Sequence, residues 1–217
     1  MERVFSPAEA STSDLSTPAR IREAAIVVFG SEGFGVGVRA IAKAAGVSPG
    51  LVNHHFGSKD GLRDACDAHV RSIIRAAKTE YLEHPTPSAT LAALAEIEEY
   101  APYIAYLMRS FQAGGALMVA MFEQMRADAR QHLEVGIASG ALRRPTDIGA
   151  TANYLAIQNG GGLLLFLQLY AAGHDGAVDY RKALREYADQ MMLPAVEVGT
   201  HGLFADSAVL DSLLAEQ

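Results

Sequence analysis

Apolar residues recur at helical spacing along most of the chain, and the interruptions of that rhythm mark the ends of helices. Residues 1–16 mix Ser, Thr, Ala and acidic side chains without an apolar period, which predicts a mobile arm. Thr17 then reads as a cap, with Pro18 at the first helical position, where a missing N–H costs nothing. Ile21, Ala24, Ala25 and Val28 share one side of this first helix, and Arg20, Arg22 and Glu23 the other. Gly30, Gly33, Gly35 and Gly37 break the pattern before a short second helix at 38–45, with Ile41 and Ala42 facing inward. Gly46 can take positive φ and end that helix, and Ser48-Pro49 restarts the chain as cap and first-turn proline. A third helix is expected to about His55, and a fourth from the Ser58 cap to about Glu83, where His84-Pro85-Thr86-Pro87 stops it. Beyond residue 88 the remaining segments read helical, with breakers at 114–115, 140–145 and 172–176. No segment alternates apolar and polar residues for long, so the expected fold class is all-α with about nine helices.

A chain of 217 residues can bury a core without disulfides or metal. The one cysteine, Cys66, can neither close an internal disulfide nor build a thiolate metal site by itself. No apolar run of eighteen lacks polar breaks, and Glu2, Arg3 and Glu9 stand where a secretion signal would be apolar, which predicts a cytoplasmic protein without a membrane partner. The formal charge of −7 disfavours a nucleic-acid binder, but its distribution reverses that inference. Residues 17–78 carry nine Lys/Arg against five Asp/Glu, net +4, whereas residues 79–217 carry eight against seventeen, net −9. A basic front on an acidic rear suits a DNA-binding head joined to a body that does not bind DNA.

The stretch from Val38 to Phe56 forms two short helices about a Gly-centred turn, with Ala42, Val47 and Val52 spaced to pack between them. This is the helix-turn-helix, whose second helix enters the major groove while the first crosses the backbone. The polar residues on that second helix are Ser48, Asn53 and His54. Two other motifs overlap it. Gly46-Val47-Ser48-Pro49-Gly50 satisfies G-x-S-x-G, but a nucleophile elbow needs a strand before its serine, and here a helix is expected. Gly35 to Ala40 satisfies G-x-G-x-x-A, yet the charges at Arg20, Arg22 and Glu23 argue against a preceding strand. Cys66 and His69 make one isolated pair, and no His belongs to H-E-x-x-H, so neither a catalytic nor a metal site is expected, and no cofactor.

Residues 17–64 resemble the N-terminal domain of the TetR family of bacterial transcriptional regulators, in the helix-one pattern ending at Phe29, the glycines before helix two and the closing "HFGSKDGL". Gly37 and Asn53 depart from the hydroxyl and aromatic residues common at those positions of the family. The resemblance implies phosphate contacts from Arg39, Lys43, Ser48 and Lys59, with Pro49, Gly50, Asn53 and His54 nearest the base edges. Asn suits bidentate pairing to adenine and His can donate to guanine. A solvated helix face is the plain alternative for Arg39 and Lys59, and a ring packed beside Phe56 is the expectation for His55.

The resemblance also divides the rest of the chain into a ligand-binding and dimerisation domain at 65–200 and a C-terminal tail at 201–217. Tyr103, Met108, Phe111, Met118, Met121, Phe122 and Met125 concentrate aromatic and sulfur side chains on two neighbouring helices, and with Gln158 they are the candidate ligand residues. Methionine deforms to fit varied shapes and aromatics supply apolar area, so the expected ligand is small and apolar or aromatic; ordinary core packing explains the same residues equally well. In the family the last two long helices, here 147–171 and 177–196, meet their twins as a four-helix bundle. Tyr154, Gly161, Leu165, Gln168, Leu184, Tyr187 and Met191 are the candidate homodimer face, with Gly160-Gly161-Gly162 permitting either close backbone approach or a ligand-dependent kink. The expected function is a sequence-specific repressor of double-stranded operator DNA, released by a ligand. The rival is a helical binding protein or enzyme whose helix-turn-helix is only structural.

Overall fold

The computed structural model describes residues 16–83, 95–114 and 116–216. Among these residues the chain is all-helical, without a strand. Its helices are α1 (Thr17–Glu32), α2 (Val38–Ala44), α3 (Pro49–Phe56), α4 (Lys59–Glu83), α5 (Ala101–Ala113), α6 (Ala116–Ala138), α7 (Ile148–Ala172), α8 (Tyr180–His201) and α9 (Ala208–Ala215), with one tight helical turn at Ile97–Tyr100 leading into α5. The expected arm, apart from Ser16, and the expected break at His84 to Pro87 lie outside the described residues.

Two local details differ from the sequence expectation. Thr17 is already helical and Ser16 precedes it, without a side-chain capping bond. Helix α8 runs past Pro194 to His201, because one proline removes one ladder hydrogen bond whereas Gly202, at φ +73°, turns the backbone out of the helix. The tail is partly ordered as α9, with Leu203 and Phe204 presented to solvent ahead of it.

The head consists of α1, α2, α3 and the first turns of α4. Ile21, Ala25, Ile26, Phe29, Ile41, Ala42, Val52, Leu62, Cys66 and Val70 close its centre, and each is essentially inaccessible. The same cluster continues without a gap into Tyr103, Tyr106, Leu107 and Met121 of α5 and α6. Helix α4 passes uninterrupted through residue 64, so head and body share both a helix and a core. A second cluster, around Met108, Leu167, Tyr170 and Ala183, joins α5 to α7 and α8.

The joint between the two units is where α1 lies along α5. A Cβ at Gly30 would come within 3.1 Å of both the Ala105 Cβ and the Tyr106 backbone nitrogen, so the hydrogen side chain sets how closely the helices cross. Tyr106 is buried edge-on to Phe34 (5.4 Å between centroids) and Phe29 (6.3 Å). Arg63 lies 3.9 Å over the Phe34 ring, and Lys59 Nζ donates to the Phe34 carbonyl at 2.6 Å. On the same seam Arg109 donates to the carbonyls of Gly30 and Ser31 at 3.1 and 3.0 Å, and the Tyr106 hydroxyl donates to the Asp67 carboxylate.

Glu23 ties three helices. Its carboxylate accepts from His69 Nε2 of α4 at 2.7 Å and from the Tyr103 hydroxyl of α5 at 3.2 Å, with Arg22 at 3.7 Å. Burial pushes the Glu23 acid up, but the His69 hydrogen bond and charge, the Arg22 charge and the Tyr103 hydroxyl together outweigh it and hold the acid below its ordinary value. Burial pushes the Tyr103 phenol up, and the neighbouring Glu23 charge adds to it.

Two outcomes are expected. Gly30→Val overpacks the crossing, costing about 2 kcal/mol and lowering Tm by roughly 4–8 °C in a thermal melt. Glu23, with its acid depressed in the folded state, contributes stability that is present above the ordinary carboxylate range and is lost as pH falls through its lowered value. Glu23→Gln therefore lowers Tm at neutral pH and flattens the acid limb of a Tm-against-pH curve, and a parallel limb in the variant contradicts this role.

Candidate functional site

The head presents α3 to solvent by simple means. Gly46, at φ +67°, ends α2, and the Val47 N–H returns to the Ala42 carbonyl at 2.9 Å. Ser48 then caps α3, its hydroxyl accepting from the Leu51 N–H at 3.3 Å, and Pro49 opens the helix. Val52 is the inward anchor of α3, fully buried, a burial that stabilises by roughly 1.5–3 kcal/mol. With Val52 turned in, Pro49, Gly50, Asn53 and His54 all face outward, as does Ser48. Arg39 and Lys43 stand exposed on α2. Lys59 is half-buried and already engaged with the Phe34 carbonyl, so it holds the loop before α2 in place at the start of α4. His55 is also exposed, its ring 5.2 Å from His54 and 6.4 Å from Phe56.

The overlapping motifs resolve into this geometry. Helix α2 and a turn precede Ser48, so the G-x-S-x-G run carries no strand-to-helix elbow. Helix α1 precedes the Gly35–Gly37 segment, where a dinucleotide fold needs a strand. Cys66 is buried with its Sγ 3.8 Å from the Arg22 carbonyl, while His69 turns to Glu23. Burial and the Asp67 charge push the Cys66 thiol up to about 12, which keeps it an inert core group.

The body holds a cavity of about 420 Å³ between α4, α5, α6, α7 and α8. Met108, Phe111, Met121 and Met125 line it, joined by Tyr100, Ile104 and Leu107 on the α5 side. Leu163, Leu164 and Leu167 form the α7 wall, with Asn159 and Gly160 at its edge, and Leu184 and Tyr187 close it from α8. Not one of the lining side chains carries a charge. Four other sequence candidates stand elsewhere. Tyr103 is spent on Glu23, Met118 is exposed, Phe122 is half-buried outside the lining, and Gln158 is exposed with its amide donating to the Tyr154 hydroxyl. The period Tyr100, Ile104, Leu107 and Phe111, at helical spacing, was the available signal for the missed α5 residues.

Of the residues read as a dimer face, Tyr154, Gly161, Leu165, Gln168 and Met191 are exposed along α7 and α8. Leu184 is buried and Tyr187 half-buried, both against the cavity instead, because α8 turns that side toward α5 and the 97–100 turn. The turn is fixed there by Arg185 donating to Glu98 at 2.9 Å. Ile157 and Leu169 add to the uncovered α7 row, in which Leu165 is 61% and Leu169 65% accessible. Helix α7 is the one helix among the described residues long and apolar enough to cross a membrane by length and composition.

This geometry has counterparts among known proteins. Residues 21–66 match the family model of bacterial regulatory proteins of the tetR family, and residues 98–205 match that of the tetracyclin repressor-like C-terminal domain. The chain is 51% identical over 205 residues to the HTH-type transcriptional regulatory protein RaaS of Mycobacterium tuberculosis, covering 94% of this chain and 95% of that protein. Among solved structures, one showing the molecular basis for control of antibiotic production by bacterial hormones superposes with a TM-score of 0.60 at 21% identity, covering 82% of this chain and 96% of the other. The TetR family regulator PfmR of Thermus thermophilus gives 0.55 at 19% identity, covering 88% and 100%. These two likenesses show the fold; the family models and the extensive identity to RaaS show more. The outward-facing α3 on its buried Val52 belongs to a DNA-binding transcriptional regulator, and the chain is a member of the TetR family.

Proposed function

We propose that the protein is a homodimeric repressor, released from a near-palindromic operator when a small, uncharged, apolar ligand enters the body cavity. The observation that carries this reading is the double duty of α5. One side supplies Ile104, Leu107, Met108 and Phe111 to the cavity. The opposite side supplies Tyr103, Tyr106 and Arg109 to the clasp on α1 and α4. A ligand that displaces α5 therefore strains the joint that orients the head. The coupling works only if the ligand binds the DNA-incompetent arrangement more tightly. Ile74, on α4, reaches the same cavity and gives a second route to the head.

The ligand class follows from desolvation. A charged group inside a lining without a counter-charge loses its hydration and gains nothing in return. Asn159 and Tyr187 bring neutral polar groups to the wall of an otherwise apolar space. Nothing in this scheme calls for a catalytic step or a cofactor, and a DNA partner puts the working protein in the cytoplasm.

The apolar row on α7 supports the dimer. A contiguous uncovered stripe of this kind marks an interface, and a second copy covering it explains why α7 is apolar without a lipid partner. Two heads on one dimer address half-sites about 34–36 Å apart. Within each, Arg39, Lys43 and Ser48 meet phosphates, Lys59 acts mainly through the loop it braces, and Pro49, Gly50, Asn53 and His54 approach base edges.

Selection of genomic fragments with the purified protein is expected to return sites with two inverted halves; recovery of a single unrepeated half overturns the dimeric scheme. Arg39→Gln and Lys43→Gln should each lower the slope of log affinity against log salt by about 0.9, while Asn53→Ala changes base preference at one position and leaves the slope alone. Leu165→Lys places a charge in the centre of the α7 row, and light scattering at micromolar concentration should then report a monomer; a persisting dimer locates the interface elsewhere.

A further inference from the structure

Glycine is disfavoured in a helix interior, yet three in succession stand in the middle of α7. They are not equivalent. A Cβ at Gly160 would lie 2.3 Å from Met125 Cε and 3.3 Å from its Sδ. At Gly161 it would meet nothing within 4 Å, and at Gly162 only the Tyr187 hydroxyl at 3.9 Å. Gly161 and Gly162 are thus the exposed members of the run, whereas Gly160 is occupied from within the protomer.

What occupies it is the tip of a flexible side chain. Met125 comes from α6, Gly160 from α7, and both line the cavity. An unbranched thioether with three rotatable bonds changes shape at little cost. Seated in the notch over Gly160, Met125 is drawn against the α7 backbone, and the space in front of it stays open. Denied the notch, its terminal methyl must swing aside, and the cavity is the unfilled volume it adjoins.

We propose that Gly160 is the specificity-determining position of the ligand cavity: its missing side chain berths Met125 and so sets the largest ligand that fits. The inference rests on the reading of this cavity as the ligand site. The ligands it favours are neutral, apolar molecules wide enough to need Met125 withdrawn.

Two neutral fluorophores that brighten in apolar surroundings, naphthylamine and the larger N-phenylnaphthylamine, test it by direct titration of the 217-residue protein. The wild type is expected to bind both. Gly160→Ala should weaken the larger probe by about tenfold or more, equivalent to ~1.4 kcal/mol at tenfold, and leave the smaller within about threefold. Met125→Ala added to Gly160→Ala should restore the larger probe. Unchanged binding of the larger probe to Gly160→Ala overturns the proposal, and so does equal loss of both probes, which marks a general change in α7, or failure of the double variant to recover. A wild type that binds neither probe refutes the cavity itself as an apolar ligand site, a result distinct from the others.

Discussion

The crossing of α1 over α5 at Gly30 is the contact on which the rest of the molecule depends. It fixes the separation at which Tyr106 meets Phe29 and Phe34, and brings Arg109 to the carbonyls at the end of α1. Without it the two short helices of the head have only α1 and the start of α4 to lean on, since α2 and α3 contribute only Ile41, Ala42 and Val52 to the fully buried centre. Close packing makes such a joint stiff rather than elastic, which suits the ligand-driven release proposed above.

The polar ties along that joint are heterogeneous in a useful way. Arg109 binds main-chain carbonyls, a bond indifferent to the protonation of any partner. Glu23, by contrast, is held below its ordinary acid range by His69, Arg22 and Tyr103 against the opposing pull of burial. Asp67 differs again: burial raises its acid, and the Tyr106 hydroxyl, Arg63 and Arg71 only partly offset that. The native state therefore holds one carboxylate more firmly charged and one less firmly charged than the unfolded chain, and their contributions to acid stability have opposite signs.

The head was legible in the sequence because every signal in it is local. Gly46 at the turn, Ser48-Pro49 at the helix start and the Ala42, Val47, Val52 spacing need no knowledge of distant residues. The cavity was legible only in half. Composition drew attention to Met108, Phe111, Met121 and Met125, but could not say that Tyr103, one helical step away, turns to Glu23 instead. Helix α7 is apolar nearly all round, so its own pattern has no phase to tell Leu163, Leu164 and Leu167 of the inner wall from Leu165 of the outer row. The neighbours that decide it, α5 with Met108 and α8 with Ala183, are brought to α7 by the tertiary fold. Helix α8 is amphipathic, but its pattern does not say whether the side with Leu184 and Tyr187 meets a second copy or the chain's own cavity, and Gln158 is one position away from the Asn159 that lines it. The positions of these side chains are set by tertiary packing, which a single sequence encodes without displaying.

The continuity of α4 through residue 64 bears on how such regulators can be recombined. Leu62, Cys66 and Val70 seal the base of the head from a helix that goes on to serve the body, and Tyr103 and Tyr106 fill what those residues leave open. A graft that moves this reading head onto a foreign sensor cannot be cut at a linker, since the two units are carved from one block. It has to carry the facing stripe of α5 along as part of the transplanted piece, and the boundary that matters is a surface rather than a position in the chain.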